Sequence, residues 1–162
     1  MTDLRFVEHP GIFTDLCGIV QYGVKYTHVD AKTSEGTYLG ALLLGGVQER
    51  KLDYDGGKFT HETFVHLNMT PEQETKFFAR LRSHVGQPYD PIAILYFFGP
   101  FSSHNWHDPG AWECTSYIAD GLIFCGWLPE NKVVPACRMT PRDLLWITST
   151  IASMAGGGAD VA

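Results

Sequence analysis

The amino-acid sequence predicts an α+β domain. Short runs rich in β-branched and aromatic residues fill the stretch up to Leu67, and from Thr70 onward the apolar period lengthens to that of helices. Strands come first and helices later, with no β-α-β alternation of the kind that builds a parallel sheet. At 162 residues the chain is one domain's worth, able to bury most of its apolar surface in a single core. No internal repeat or linker divides it. Residues 1–155 are therefore expected as one domain, and 156–162, opening on Gly156-Gly157-Gly158, as a flexible tail.

The first residues read as loop around His9-Pro10-Gly11, and Cys17 to Tyr22 then reads as a strand or short helix. Tyr26 to Lys32 alternates roughly and predicts a strand. Thr33-Ser34-Glu35-Gly36 supplies the turn into a second strand, Thr37 to Leu44, closing a hairpin. Gly45-Gly46 breaks that strand, and Val47 to Leu52 forms the next. Asp53-Tyr54-Asp55-Gly56-Gly57 is a turn, and Glu62 to Leu67 a further strand. Thr70, Pro71 and Gln73 then make a capping box, which opens a helix with Phe77, Phe78, Leu81 and Val85 as its buried stripe and Gly86 as its end. Gln87 to Pro91 is a fixed turn, Ile92 to Phe98 a short apolar helix, and Gly99 to Gly110 a polar loop. A helix from Cys114 to Cys125 buries Tyr117 or Ile118, Leu122 and Phe124, with Gly126 closing it. Thr140-Pro141-Arg142-Asp143 repeats the capping logic for a last helix to about Met154.

Composition removes several function classes. Acidic residues outnumber basic ones, 18 to 12, for a net charge of −6, and no Lys/Arg cluster stands out, so nucleic acid is not an expected partner. Met1 to Pro10 carries Asp3, Arg5 and Glu8 and no apolar run, so no signal peptide is expected. No stretch approaches the ~20 apolar residues that span a bilayer. Four cysteines without a leader (Cys17, Cys114, Cys125, Cys137) fit free thiols in a reducing compartment. Cys114 and Cys125 on one helix would lie roughly 16 Å apart, beyond disulfide reach. The composition fixes no oligomeric state.

Two stretches carry most of the chemistry. Tyr26-Thr27-His28-Val29-Asp30 places a histidine on a strand, and Trp112-Glu113-Cys114-Thr115-Ser116-Tyr117 delivers a cysteine onto the start of a helix. Free N–H groups and the positive end of the helix dipole favour a thiolate there, and a histidine on a rigid neighbouring strand can shuttle its protons. The plainer alternatives are a half-buried strand histidine bonded to a neighbour, and an inert core cysteine. His104-Asn105-Trp106-His107-Asp108 offers two imidazoles and a carboxylate but no partner of defined ligand spacing. It reads as a polar loop bordering a cleft, where Phe101 and Trp106 are candidates to line a groove. His61 and His66 face opposite ways on one strand, and the terminal glycine run lacks the strand and helix of a phosphate loop. No metal or cofactor is expected.

Taken in order, Thr27-His28-Val29-Asp30, Gly36, Gly40-Ala41, Gly45-Gly46-Val47 to Arg50, Gly86-Gln87-Pro88-Tyr89-Asp90, Trp112-Glu113-Cys114-Thr115 and Ile118-Ala119-Asp120 resemble the circularly permuted branch of the NlpC-like, papain-fold cysteine hydrolases. The resemblance covers about residues 20–130. It implies a permuted papain-like fold, a small antiparallel β-barrel or sheet packed against helices. It also implies that Cys114 attacks an amide carbonyl and that His28 protonates the leaving amine, in the reverse of papain's chain order, which geometry permits. The Cys114 N–H would help form the oxyanion hole, and Tyr89 would line the site and donate its hydroxyl, unless it is simply a rigid turn tyrosine.

Two departures stand out. Thr115 replaces the usual serine, and twelve residues on from His28, where unpermuted members often carry a polar orienter, this chain has Gly40. Asp30, two residues from His28 on the same face, is a substitute, with Glu35 or a backbone carbonyl as others; Asp30 as an ordinary solvated residue stays open. The implied substrate is peptidoglycan stem peptide, with a cytoplasmic or virion-associated (phage) location. Acyl transfer or thioester or lipid-ester cleavage, and a non-catalytic phage tail or binding module, are the alternatives.

Overall fold

The computed structural model describes residues 2–11, 23, 26–95, 110–130, 139–156 and 159–160. Its strands are β1 (Thr2–Glu8), β2 (His28–Lys32), β3 (Thr37–Leu42), β4 (Gly46–Lys51), β5 (His61–Leu67) and β6 (Ala159–Asp160). They form one antiparallel sheet in the order β4-β3-β2-β1-β5-β6. The helices are α1 (Pro71–Ser83), α2 (Pro91–Leu95), α3 (Cys114–Phe124) and α4 (Pro141–Met154). The α+β class and the β2–β3 hairpin agree with the sequence pattern. None of the described helices is long and apolar enough to cross a membrane.

The opening residues differ from expectation. Thr2–Glu8 is not loop but a strand lying between β2 and β5. Leu4 and Phe6 alternate with Asp3 and Arg5, the period of a strand. Arg5 is in fact only 2% exposed, its guanidinium 2.8 Å from both Asp55 and Glu62. Ala159–Asp160 pairs with Phe64 and Val65 of β5, within the segment expected as a tail. The strand or helix expected at Cys17 to Tyr22 lies outside the described residues, as do Cys137 and the whole His104–Asp108 stretch.

Register sorts the sheet into two faces. Leu4 is paired with Ala31 and Val65, Phe6 with Val29, and Ala31 with Leu39. These residues share one core with Phe77 and Leu81 of α1, Tyr117, Ile118 and Leu122 of α3, and Leu144 of α4. The alternate positions, Arg5, His28, Asp30, Tyr38 and Gly40, belong to the other face. There the β4–β5 connection folds back, and Arg5 stacks against Tyr38 and Phe59 at 4.9 and 4.7 Å. The β2–β3 ladder holds only at Ala31–Leu39 and Lys32–Tyr38, short of His28.

Both capping boxes form. Thr70 accepts from the Gln73 N–H and Thr140 from that of Asp143, and the Gln73 and Asp143 side chains in turn accept from the Thr70 and Thr140 N–H groups. The helix α1 ends at Ser83, so Val85 lies beyond it and is exposed rather than part of the stripe. Phe124 is likewise exposed, beneath the Arg80 guanidinium at 5.1 Å. Arg80 grips Asp120 through Nε at 2.7 Å and Nη2 at 3.2 Å, tying α1 to α3. Cys114 and Cys125 are both free, as their separation requires.

The helices α1 and α3 meet closely at Gly121, where a Cβ would stand 2.8 Å from Leu81 Cδ2 and 2.9 Å from Phe77 Cε2. Gly121→Ala gains about 1 kcal/mol of helix propensity, against overpacking of about 1–3 kcal/mol. Gly121→Val adds bulk without that gain and should destabilise by about 3 kcal/mol in urea unfolding. An unchanged midpoint for the valine variant would contradict this packing.

Candidate active site

His28 opens β2 opposite Val7 and is 4% exposed. Its Nε2 lies 2.7 Å from Asp30 Oδ1. The carboxylate is fully buried, and its second oxygen accepts from the Tyr54 hydroxyl at 2.7 Å. Room for it comes from Gly40 on β3. A Cβ at that position would sit 1.9 Å from Asp30 Oδ1 and 3.4 Å from His28 Nε2. The glycine where a polar orienter was looked for is thus the gap into which Asp30 fits. Arg50 donates to the Gly40 carbonyl at 3.0 Å and the Gly46 carbonyl at 2.9 Å, fixing that strand in place. Glu35, the other carboxylate considered, instead pairs with Arg82 on the surface.

A second imidazole stands beside the first. The rings of His9 and His28 are 6.2 Å apart, and His9 engages the Thr27 hydroxyl at 3.3 Å. Burial, with His28 next to it, holds the His9 pKa below the usual range.

Cys114 is the first residue of α3. What precedes it is clipped in place: the Trp112 N–H donates to the Pro88 carbonyl at 3.0 Å, and the Asp90 N–H to the Trp112 carbonyl at 3.1 Å. Tyr89 and Trp112 therefore run side by side as a short parallel bridge, and Tyr89 is half-buried against the core. The Trp112 indole donates to Gln87 Oε1, and the Gln87 carbonyl accepts from the Val47 N–H at 3.0 Å. Asp90 caps α2 through Oδ1, accepting from Ile92 and Ala93 at 3.0 and 3.1 Å. Motifs far apart in the sequence are joined here by main-chain hydrogen bonds.

The helix start is not the free cradle of N–H groups that the sequence suggested. Glu113, 3% exposed, is the N-cap, and its carboxylate takes the Thr115 N–H at 2.8 Å and the Ser116 N–H as well. The Cys114 thiol is 4% exposed and lies 3.7 Å from Glu113 Oε2 and 3.8 Å from the Thr115 hydroxyl. The helix that carries it packs on β2, and Cys114 shares the core with Val29 of that strand. Burial first, then the neighbouring Glu113 charge, pushes the thiol well above its ordinary range. Burial raises the Glu113 carboxyl too, against the opposing pull of its amide donors.

Cys114 therefore shares the core with Val29, the residue next to His28, but its sulfur is not hydrogen-bonded to the imidazole. No partner for the Cys114 N–H is found among the described residues. Tyr54 and Glu113 are the site residues that sequence reasoning missed. A turn tyrosine carries no signal in periodicity. Glu113 left a faint one, because it directly precedes a helix, where a cap must stand.

No protein-family model and no curated protein matches the chain. Among solved structures it is similar to the crystal structure of the metalloprotein YiiX from Escherichia coli O157:H7 (DUF1105), with a TM-score of 0.59 and 14% identity. The match covers 78% of this chain and 66% of that one, so the chain spans about two thirds of its neighbour. At that identity the likeness is one of fold.

A raised thiol pKa means that little thiolate exists at neutral pH. The iodoacetamide labelling rate of Cys114 should thus be low at pH 7 and keep climbing past the ordinary thiol pKa of about 8.5. Glu113→Gln removes the facing charge and should move that climb to lower pH. A labelling rate already on its plateau at pH 7 in the wild type would contradict the geometry.

Proposed function

We propose that the chain is a cysteine hydrolase of amide or related acyl bonds, built on a circularly permuted papain-like (NlpC-like) fold. The supporting observation is the buried His28–Asp30 pair, at 2.7 Å, on the strand that packs against the helix carrying Cys114. The main-chain clip between the Tyr89 and Trp112 segments supports the same reading, because it ties together two motifs of the resembled family.

In this reading Cys114 is neutral at rest, and turnover requires the thiol and the imidazole, which share no hydrogen bond in this structure, to come within reach of each other. The Cys114 proton passes to His28 as sulfur attacks the carbonyl carbon. The N–H of Cys114, with the Tyr89 hydroxyl, receives the negative charge that develops on oxygen. Collapse breaks the C–N bond, and the proton on His28 leaves with the amine. Water, deprotonated by His28, then attacks the thioester, releasing the acid and restoring the thiol. Asp30 acts as a positioning residue throughout.

The substrate class proposed is the peptide of peptidoglycan, which rests on the family resemblance; thioester or lipid-ester cleavage or acyl transfer is the alternative within the same chemistry. The neighbour is described as a metalloprotein; among the described residues no group of three His, Cys, Asp or Glu that could hold a metal ion is found. One observation favours a second reading, a non-catalytic binding module: the thiol is sealed and held protonated.

Incubation with purified peptidoglycan and, separately, with an acyl thioester, followed by mass spectrometry, divides these readings. Wild type should release cleaved stem peptides, and Cys114→Ala and His28→Ala should each lower the rate by roughly 10³-fold or more. Turnover of the thioester alone would assign the acyl alternative, and no turnover of either substrate would favour the binding module. Undiminished cleavage by Cys114→Ala would overturn the proposal.

A further inference from the structure

We propose that Tyr54 is a positioning residue of the site: its hydroxyl holds the second oxygen of Asp30, and through Asp30 it sets which nitrogen of His28 carries the proton. The inference rests on the reading of His28 as the proton shuttle and assigns part of that function to the turn between β4 and β5.

Asp30 is wholly buried, so each of its oxygens needs a donor. Oδ1 faces His28 Nε2 at 2.7 Å, and Oδ2 accepts from Tyr54 at 2.7 Å. With both oxygens engaged, the carboxylate plane is fixed against Gly40. An imidazole facing a carboxylate through Nε2 bears its proton there, which leaves the Nδ1 lone pair free to accept one from a thiol.

The turn is shaped for this task. Gly56 and Gly57 both have left-handed backbones, at φ 58° and 71°, and fold the chain back. The Asp55 side chain receives the Gly57 N–H at 3.2 Å and reaches Arg5 at 2.8 Å. Leu52 and Asp53 are exposed, whereas Tyr54 points inward, its ring edge-on to Tyr38 at 6.2 Å and beneath the Arg50 guanidinium at 5.6 Å. Burial and the adjacent Asp30 charge push the Tyr54 hydroxyl far above its ordinary range, so it remains a donor.

The test is long-range ¹H–¹⁵N NMR of the full chain labelled in histidine, with His28 assigned by a His28→Gln variant. It needs no substrate, so it stands or falls separately from the hydrolase reading. Wild-type His28 should be the Nε2–H form. Tyr54→Phe keeps the ring and should lower the ratio of Nε2–H to Nδ1–H by roughly three- to tenfold. Tyr38→Phe, which alters a hydroxyl not bonded to Asp30, should leave it unchanged. An unaltered ratio in a folded Tyr54→Phe variant, or an Nδ1–H form in the wild type, overturns the proposal. Should Tyr54→Phe fail to fold, a slowly exchanging Tyr54 hydroxyl proton in the wild type supports it, and a rapidly exchanging one overturns it.

Discussion

A carboxyl group cut off from water must find partners for both oxygens, and much of this molecule is arranged around Asp30 for that reason. His28 and Tyr54 satisfy it from two sides, and Gly40 leaves the space it occupies. Arg50 holds Gly40 by its carbonyl, and the same guanidinium lies over the Tyr54 ring. Arg5 and Asp55 pin the other end of the turn that carries Tyr54. The polar face of the sheet is thus a connected network rather than a solvated surface. That is why a central strand with three charged residues can be almost wholly buried there.

The opposite end of the site shows a conflict of local demands. A helix start needs acceptors for its first N–H groups, whereas a reactive cysteine at that start needs those same groups for itself. In this chain the cap wins, because Glu113 occupies the donors and sets a negative charge beside the sulfur. Burial first, then that charge, keeps the resting thiol protonated. A pre-formed thiolate and a capped helix compete here, and the residue before the cysteine decides between them.

Much of the fold was legible from local rules. Thr70 and Thr140 announced their helices because a capping box is written in residues three apart. The strands β2 to β5 followed from alternation and from glycine-bearing turns. Thr2–Glu8 was not recognised, since the partners that neutralise Arg5, Asp55 and Glu62, lie some fifty positions away and leave no local trace. For the same reason Cys114, His28, Asp30 and Tyr89 could be singled out by type and by family resemblance, whereas the role of Gly40 could not. A missing side chain becomes meaningful only when the group filling its place is known.

The fit of Asp30 into the space at Gly40 is tested most directly by a double-mutant cycle on folding stability. Gly40 has an ordinary backbone conformation, so an added methyl meets only its neighbours. The account predicts that Gly40→Ala costs about 2 kcal/mol or more when Asp30 is present and little in an Asp30→Ala background, a coupling of about 1–3 kcal/mol in urea unfolding. Equal costs in the two backgrounds would mean that the carboxylate does not occupy that space, and the arrangement of the site described here would be wrong.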